Sequence, residues 1–272
     1  MSASDDSIRN IIVIGDTHCG SSVGLLPPGV EMDEGKPLPL NPTQEWLWES
    51  WNNFWSWAYG TIGTESFALV HIGDMIDGRH HGTTQLASGN LSVQARIAVA
   101  ALQGPVNKAT KTFFIRGTEA HVGQSAEFEE MTARQLVKAD EKSKPVTRWD
   151  LWVELGADLI HFAHHISTTS SHAYKSSPLM RLMAASFGAA GEHGFKPPTI
   201  MVRGHCHDYT EVKRAHCRVV TCPCWQTKTG FVWKFATIEP VVVGGLLIRS
   251  GKDGVHIRER LYTEPRQASV RL

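Results

Sequence analysis

The sequence predicts an α/β protein in which two β-sheets pack face to face with helices outside. Three observations point there. The first half of the chain alternates short apolar, β-branched runs with stretches of helical period, whereas the second half is mainly strand-like. Four clusters of Asp and His each follow an apolar run, which places them where buried strands give way to loops.

Taken in order, Ile11-Ile12-Val13-Ile14 is the first strand, ending at Gly15. Residues 20–42 hold Pro27-Pro28, Pro37, Pro39 and Pro42 among several glycines, so a long loop is expected rather than a helix or a central strand. From Thr43 onward, Leu47, Trp51, Phe54, Trp55 and Ala58 recur at helical spacing, predicting a helix packed on a sheet with Thr43 as its N-cap. Trp46, Trp48 and Trp57 fall off that stripe and read as flanks of a wide buried face rather than a base-stacking platform. Phe67 to Val70 is the second strand, followed by a polar loop over 78–90 in which His80 and His81 read as solvated. Leu91 to Leu102 predicts a helix that stops before Gly104-Pro105, and Thr112 to Ile115 a third strand. Phe128 to Val137 reads as a helix offering Met131, Leu136 and Val137 for packing. Leu151 to Leu155 and Leu159 to Ala163 flank Gly156-Ala157, the spacing of a tight hairpin. Pro178 to Ala190 predicts a helix opened by proline and closed by Gly191. Ile200 to Val202, Val219-Val220, Phe231 to Phe235, Val241 to Ile248 and Val255 to Ile257 are β-prone.

A chain of 272 residues with 42% hydrophobic content is long enough for one large core, and one domain spanning 1–272 is expected. Lys plus Arg equals Asp plus Glu at 27 each, so no overall basic field favours a long nucleic acid. Five irregularly spaced cysteines do not form a disulfide framework, which fits a reducing, cytoplasmic location. The N-terminus lacks a signal-peptide layout, and no apolar run reaches the roughly 20 residues that a membrane helix needs, so no membrane partner is expected.

The four clusters are Asp16-Thr17-His18, Gly73-Asp74-Met75-Ile76-Asp77, His164-His165 and Gly204-His205-Cys206-His207. Carboxylate plus imidazole is the ligand set for divalent transition metals, and the number of ligands exceeds the needs of one ion. Two ions sharing a carboxylate are the arrangement used for displacement at phosphorus. Asp-x-His and His-x-His put alternate side chains on one side of an extended segment. Cys222-Pro223-Cys224 would need Cys217 and His216 to complete a zinc site; buried reduced thiols are the better reading. His161 reads as a packed, sheet-facing residue, and His172 and Lys175 follow the third cluster in a Ser-rich loop where phosphate contact has no independent support.

In order and type, the clusters resemble the motifs of the calcineurin-like metallophosphoesterases: D-x-H, G-D-x-x-D, a G-N-H-[DE] motif, an H-G or H-H pair, and G-H-x-H. Four of the five match, over residues 11 to about 210. The resemblance implies a four-layer α-β-β-α sandwich of two mixed sheets, and a hydrolase of phosphate esters with a dinuclear centre of Mn, Fe, Zn, Ni or Co and a bridging hydroxide nucleophile. By the same pattern, Asp16, His18 and His207 serve the first metal, His164 and His205 the second, and Asp74 bridges both. His164 is preferred to His165 because the family ligand is the first of the pair. Asp77 is expected to hold a ligand imidazole or a loop rather than to bind metal itself.

The missing motif falls at Arg116-Gly117-Thr118-Glu119-Ala120-His121, where the family's Asn ligand is absent. Thr118 takes its place by simple alignment, but an anionic Glu119 is the better oxygen ligand for a hard cation, and His121 is expected to protonate or stabilise the leaving group. Arg116 and Arg203 are candidates for offsetting charge on the phosphoryl oxygens. The partner expected is a phosphoester substrate. A DNA or RNA nuclease is the second enzyme reading, not favoured by the neutral charge, and a non-catalytic metal-stabilised scaffold is a third.

Overall fold

A computed structural model describes residues 8–80, 82–140, 144–168, 171–214, 216–234, 238, 240–265 and 270–271. Two sheets make its centre. The first has six strands in the order β11-β10-β1-β2-β3-β4, from β1 (Asn10–Ile14), β2 (Phe67–His71), β3 (Lys111–Ile115), β4 (Thr147–Arg148), β10 (Val242–Gly251) and β11 (Gly254–Thr263). The second has five in the order β5-β6-β7-β9-β8, from β5 (Asp150–Leu155), β6 (Asp158–Ala163), β7 (Ile200–Arg203), β8 (Glu211–Arg214) and β9 (Cys217–Thr221). β1 to β4 run parallel, with β10 antiparallel to β1; β6, β7 and β9 run parallel between antiparallel edges. Both sheets are therefore mixed.

The alternation within β1 decides the layering. Ile11 and Val13 face the second sheet, meeting Leu151, Ile160, Phe162, Val202 and Val220, whereas Ile12 and Ile14 face helices α1 (Pro42–Ile62) and α2 (Leu91–Lys108). On the far side, α5 (Ser177–His193) lays Leu179 and Met183 on Met201 and Val219. Each such buried side chain contributes about 1.5–3 kcal/mol. The result is a four-layer α-β-β-α sandwich, and among the described residues no helix is long and apolar enough to cross a membrane.

Apart from the β-prone stretch at Phe231, the predicted elements form, with their boundaries corrected. α1 starts before Thr43: Asn41 is the cap, its side chain accepting from Gln44 N at 2.9 Å while the Gln44 side chain accepts from Asn41 N, and Pro42 opens the first turn. Leu47, Trp51, Phe54, Trp55 and Ala58 are buried as their spacing predicts, with Trp46, Trp48 and Trp57 half-buried against the same core. The loop ahead of α1 is packed, with Leu25, Leu26, Val30 and Met32 in the core. α2 runs on through Gly104-Pro105 to Lys108, because Pro105 packs on the buried face and that burial offsets the lost hydrogen bond. Helix α4 (Glu127–Val137) buries Glu129, Thr132, Ala133 and Leu136 and leaves Val137 exposed. Gly156-Ala157 turns the hairpin between β5 and β6 as predicted. α5 passes Gly191 and ends at Gly194, which takes the left-handed conformation (φ 71°) that closes a helix. Phe231 lies in the one-turn helix α6 (Gly230–Trp233), capped by the Thr229 hydroxyl, rather than in a strand. His81, Phe235 and the His172 side chain are outside what is described.

Candidate metal centre

The loops after β1, β2, β6 and β7 meet at one end of the two sheets because their backbones continue to pair beyond the strands. Asp16 N donates to Gly73 O (2.8 Å), His18 N to Asp74 O (3.1 Å) and Gly204 N to His164 O (3.1 Å). The turn that aims the side chains is costly. Among the described residues, seven non-glycine residues have positive φ, and five of them are Asp16, His18, Asp74, His205 and His207. Left-handed backbone in such residues persists only where the surroundings enforce it, and it concentrates at functional sites. Gly73 (φ 110°) leaves no room for a side chain, since a Cβ there would lie 2.5 Å from His164 Nδ1.

Two candidate ligand groups result. Asp16, His18 and His207 form one, and Asp74, His164 and His205 the other; within each group the candidate donor atoms lie within 4.8 Å of one another. Asp74 also falls in a group with His18 and His121, so its carboxylate stands between the two sets. Asp74 Oδ2 is 3.2 Å from His164 Nε2, and Oδ1 accepts from Thr118 N at 2.6 Å. His18 Nε2 and His207 Nε2 face one another at 3.0 Å, and His207 Nε2 is 3.4 Å from Asp16 Oδ1. Asp16 also accepts from His205 N, fixing the fourth motif against the first.

The imidazoles are aimed from behind. His18 Nδ1 bonds Asp77 Oδ1 at 3.1 Å, and His164 Nδ1 donates to Ile72 O at 2.7 Å, which leaves the opposite ring nitrogen of each facing the centre. Asp77 thus holds the His18 ring and is itself anchored by Gln226 Nε2 at 3.0 Å. Convergent ring nitrogens with two buried carboxylates fit divalent transition metals. Burial would raise Asp16 and Asp74, but neighbouring imidazoles outweigh it and hold both carboxyls low. Burial alone would depress His164; Asp74 and Asp16 outweigh it and push it up to about 10.

His164, not the exposed His165, is the histidine within the group. Glu119 is not brought in: it is exposed at the start of the one-turn helix α3 (Glu119–Val122). The Thr118 hydroxyl sits there instead, 3.1 Å from His164 Nε2 and 3.2 Å from His205 Nδ1. Backbone direction explains the exchange, since Thr118 ends the loop while Glu119 already turns into the helix. His121 arrives beside the centre, its Nδ1 donating to Asp77 O at 2.7 Å. Both arginines are engaged elsewhere. Arg116 bonds Thr147 Oγ1 and lies over the exposed Trp149, and the buried Arg203 bonds Val202 O and His161 Nδ1. Arg203, the last residue of β7, stays against that strand and His161, and Arg116, one residue past β3, reaches across to β4. His161 packs on Trp152, as expected of a sheet-facing histidine. His80 is tied to Asp77 Oδ2 at 3.5 Å rather than merely solvated, and Lys175 is 3.0 Å from Asp208. Among the described residues no cysteine joins a ligand group, and Cys222 and Cys224 are free and buried, their thiols pushed well up by burial.

Sequence reasoning missed two residues. His71, the last residue of β2, is buried and bonds Thr17 Oγ1 and Gly73 N; burial pushes it down to about 3. A histidine in an apolar run two residues before Gly73-Asp74 was the available signal. Glu129 accepts from Met75 N (3.2 Å) and Gly117 N (2.7 Å), tying the loop of Asp74 to the loop of Thr118; burial and Asp74 raise it to about 8. Nothing in the sequence marked it, because a glutamate on a helix ordinarily faces water.

No family model and no curated protein matches the chain. Among solved structures it is similar to an archaeal phosphodiesterase (9% identity, 93% of this chain and 99% of that one, TM-score 0.44). It is also similar to a predicted phosphoesterase of Streptococcus pneumoniae (13%, 93% and 98%, 0.35) and to zinc-complexed Vps29 of Entamoeba histolytica (9%, 93% and 98%, 0.36). Likeness this remote decides nothing about chemistry. The resemblance to calcineurin-like metallophosphoesterases rests on four motifs in order, gathered at one end of a double-sheet sandwich.

Proposed function

We propose that this protein is a metal-dependent phosphoesterase whose centre takes two divalent cations. The observation that carries the reading is the pair of ligand groups set on either side of Asp74. Bound there, divalent cations supply Lewis acidity for a phosphoryl oxygen and acidify a water for attack on phosphorus. Asp16, His18 and His207 would hold one and His164 and His205 the other, with the Thr118 hydroxyl beside them and Asp74 placed to serve both. Asp77, Ile72 O and Glu129 keep these donors aimed. His205 and His207 are half-exposed where the other four ligand side chains are buried, so substrate approaches over the fourth motif. A cleft of about 110 Å³ opens beside His205, walled by Lys175, Asp208, Pro178 and Leu179, and is suited to the organic part of a small ester.

The test is a panel of phosphate monoesters, diesters, nucleotides and oligonucleotides offered to apoprotein reconstituted with Mn, Fe, Co, Ni or Zn. Hydrolysis of at least one ester that disappears in Asp74→Asn is expected. Two bound cations with no turnover of any ester would replace this reading with that of a metal-stabilised scaffold, and oligonucleotide cleavage alone would make the protein a nuclease.

A further inference from the structure

A second set of metal-ligating side chains lies beyond the two groups. Asp77, His80 and His121 place a carboxylate oxygen and two imidazole nitrogens within 4.8 Å of one another. Asp77 Oδ1 is committed to His18 Nδ1 and Gln226 Nε2, and Oδ2 is turned to His80 Nε2 at 3.5 Å. Two ligands of one tetrahedral zinc with bonds near 2.0 Å stand about 3.3 Å apart, so this spacing suits a shared cation as well as an ion pair.

His121 supplies the independent observation. Its Nδ1 gives its proton to the Asp77 carbonyl at 2.7 Å, the same arrangement and distance as His164 Nδ1 on the Ile72 carbonyl. A histidine anchored to a backbone carbonyl through one nitrogen presents a lone pair at the other, which is how metal-bound imidazoles are oriented. A neutral His121 therefore offers an acceptor, not a proton, to its surroundings. Its ring also lies edge-on between His80 and His18, with centroids 4.4 and 4.5 Å away.

We propose a third divalent-cation site of zinc class, formed by Asp77 Oδ2, His80 Nε2 and His121 Nε2, with a fourth position left for water. One carboxylate and two imidazoles with an open position is a ligand set that zinc accepts. The partly exposed His80 gives an entry path from solvent. The site adjoins the proposed pair through Asp77, whose other oxygen holds His18. It gives the His121 side of the centre a fixed positive charge.

Zinc alone is the probe. Tag-free wild type and His80→Ala are stripped of metal, dialysed against zinc, freed of excess, and counted by mass spectrometry. One more zinc per chain is expected in wild type than in His80→Ala, three against two. Equal counts in the two proteins would overturn the site. The number remaining in His80→Ala tests the pair separately, so the two readings fail independently. Because a variant can lose zinc by misfolding, diethylpyrocarbonate labelling of His80 in wild type is the second measurement. Zinc should protect His80, and labelling that zinc does not change would also overturn the site.

Discussion

The two candidate ligand groups on either side of Asp74 are built to different standards. In the first, Asp16 is a buried carboxylate and His18 is buttressed by the carboxylate of Asp77, so two carboxylates serve the group. In the second, His164 is supported by a backbone carbonyl, and the position next to His164 and His205 is filled by the neutral hydroxyl of Thr118. Charge and orientation set affinity more than ligand count does, so the first group should hold its cation more tightly. Emptying the centre stepwise with a chelator should release one ion well before the other.

The largest effect is expected at the shared residue. Asp74→Asn should remove both cations and reduce turnover by far more than the roughly 10–100-fold that follows loss of a group that merely orients a ligand. Retained wild-type turnover would end the comparison, because the two groups would then be independent. Asp77→Asn separates them: metal affinity of the first group should fall about 10–100-fold with the second unchanged, as titration of the apoprotein would show. Next come the Thr118 variants. Thr118→Asn should tighten the weaker ion by roughly tenfold by adding an amide oxygen, and Thr118→Ala should loosen it, whereas Glu119→Ala should change neither count nor affinity. A loss of metal in Glu119→Ala would return the ligand role to that residue.

The smallest effect is a pH dependence. His164 is held at about 10 in the folded apoprotein against 6.5 unfolded, so its stabilisation is complete below pH 6.5 and is lost as pH rises through 10. Glu129, raised to about 8, destabilises the fold as it ionises above its ordinary range, which has the same sign. Apoprotein melting temperature should therefore fall on going from pH 6.5 towards 10, and the second group's cation affinity should rise as the His164 proton becomes easier to expel. A flat profile for the metal-free protein would show that Asp74 does not face a charged imidazole.

Much of the fold was legible because burial follows period. Ile11 to Ile14 alternates between two apolar faces, and Leu47 to Ala58 repeats at helical spacing, so both elements announce which sides are covered. Residues whose role depends on a partner remote in sequence were not legible. Pro105 looks like a helix stop until its burial is known, and Glu129 looks solvated until Met75 N and Gly117 N arrive from two other loops. The residues of the two candidate groups were readable as short motifs, since alternate residues at a strand end share a side. The Thr118–Glu119 question was not, because a single turn of backbone decides which of two neighbours points inward. Arg116 and Arg203 misled for the same reason: adjacency to a motif in sequence says nothing about direction in space.

The unusual torsions at Asp16, His18, Asp74, His205 and His207 carry one more lesson, for transplantation. A centre whose donors are aimed by bent main chain cannot be copied by grafting six side chains onto another double-sheet scaffold, where ordinary extended strand ends would point them apart. Moving the short segments 15–18, 73–77 and 204–207 as whole pieces would carry the aim along with the atoms.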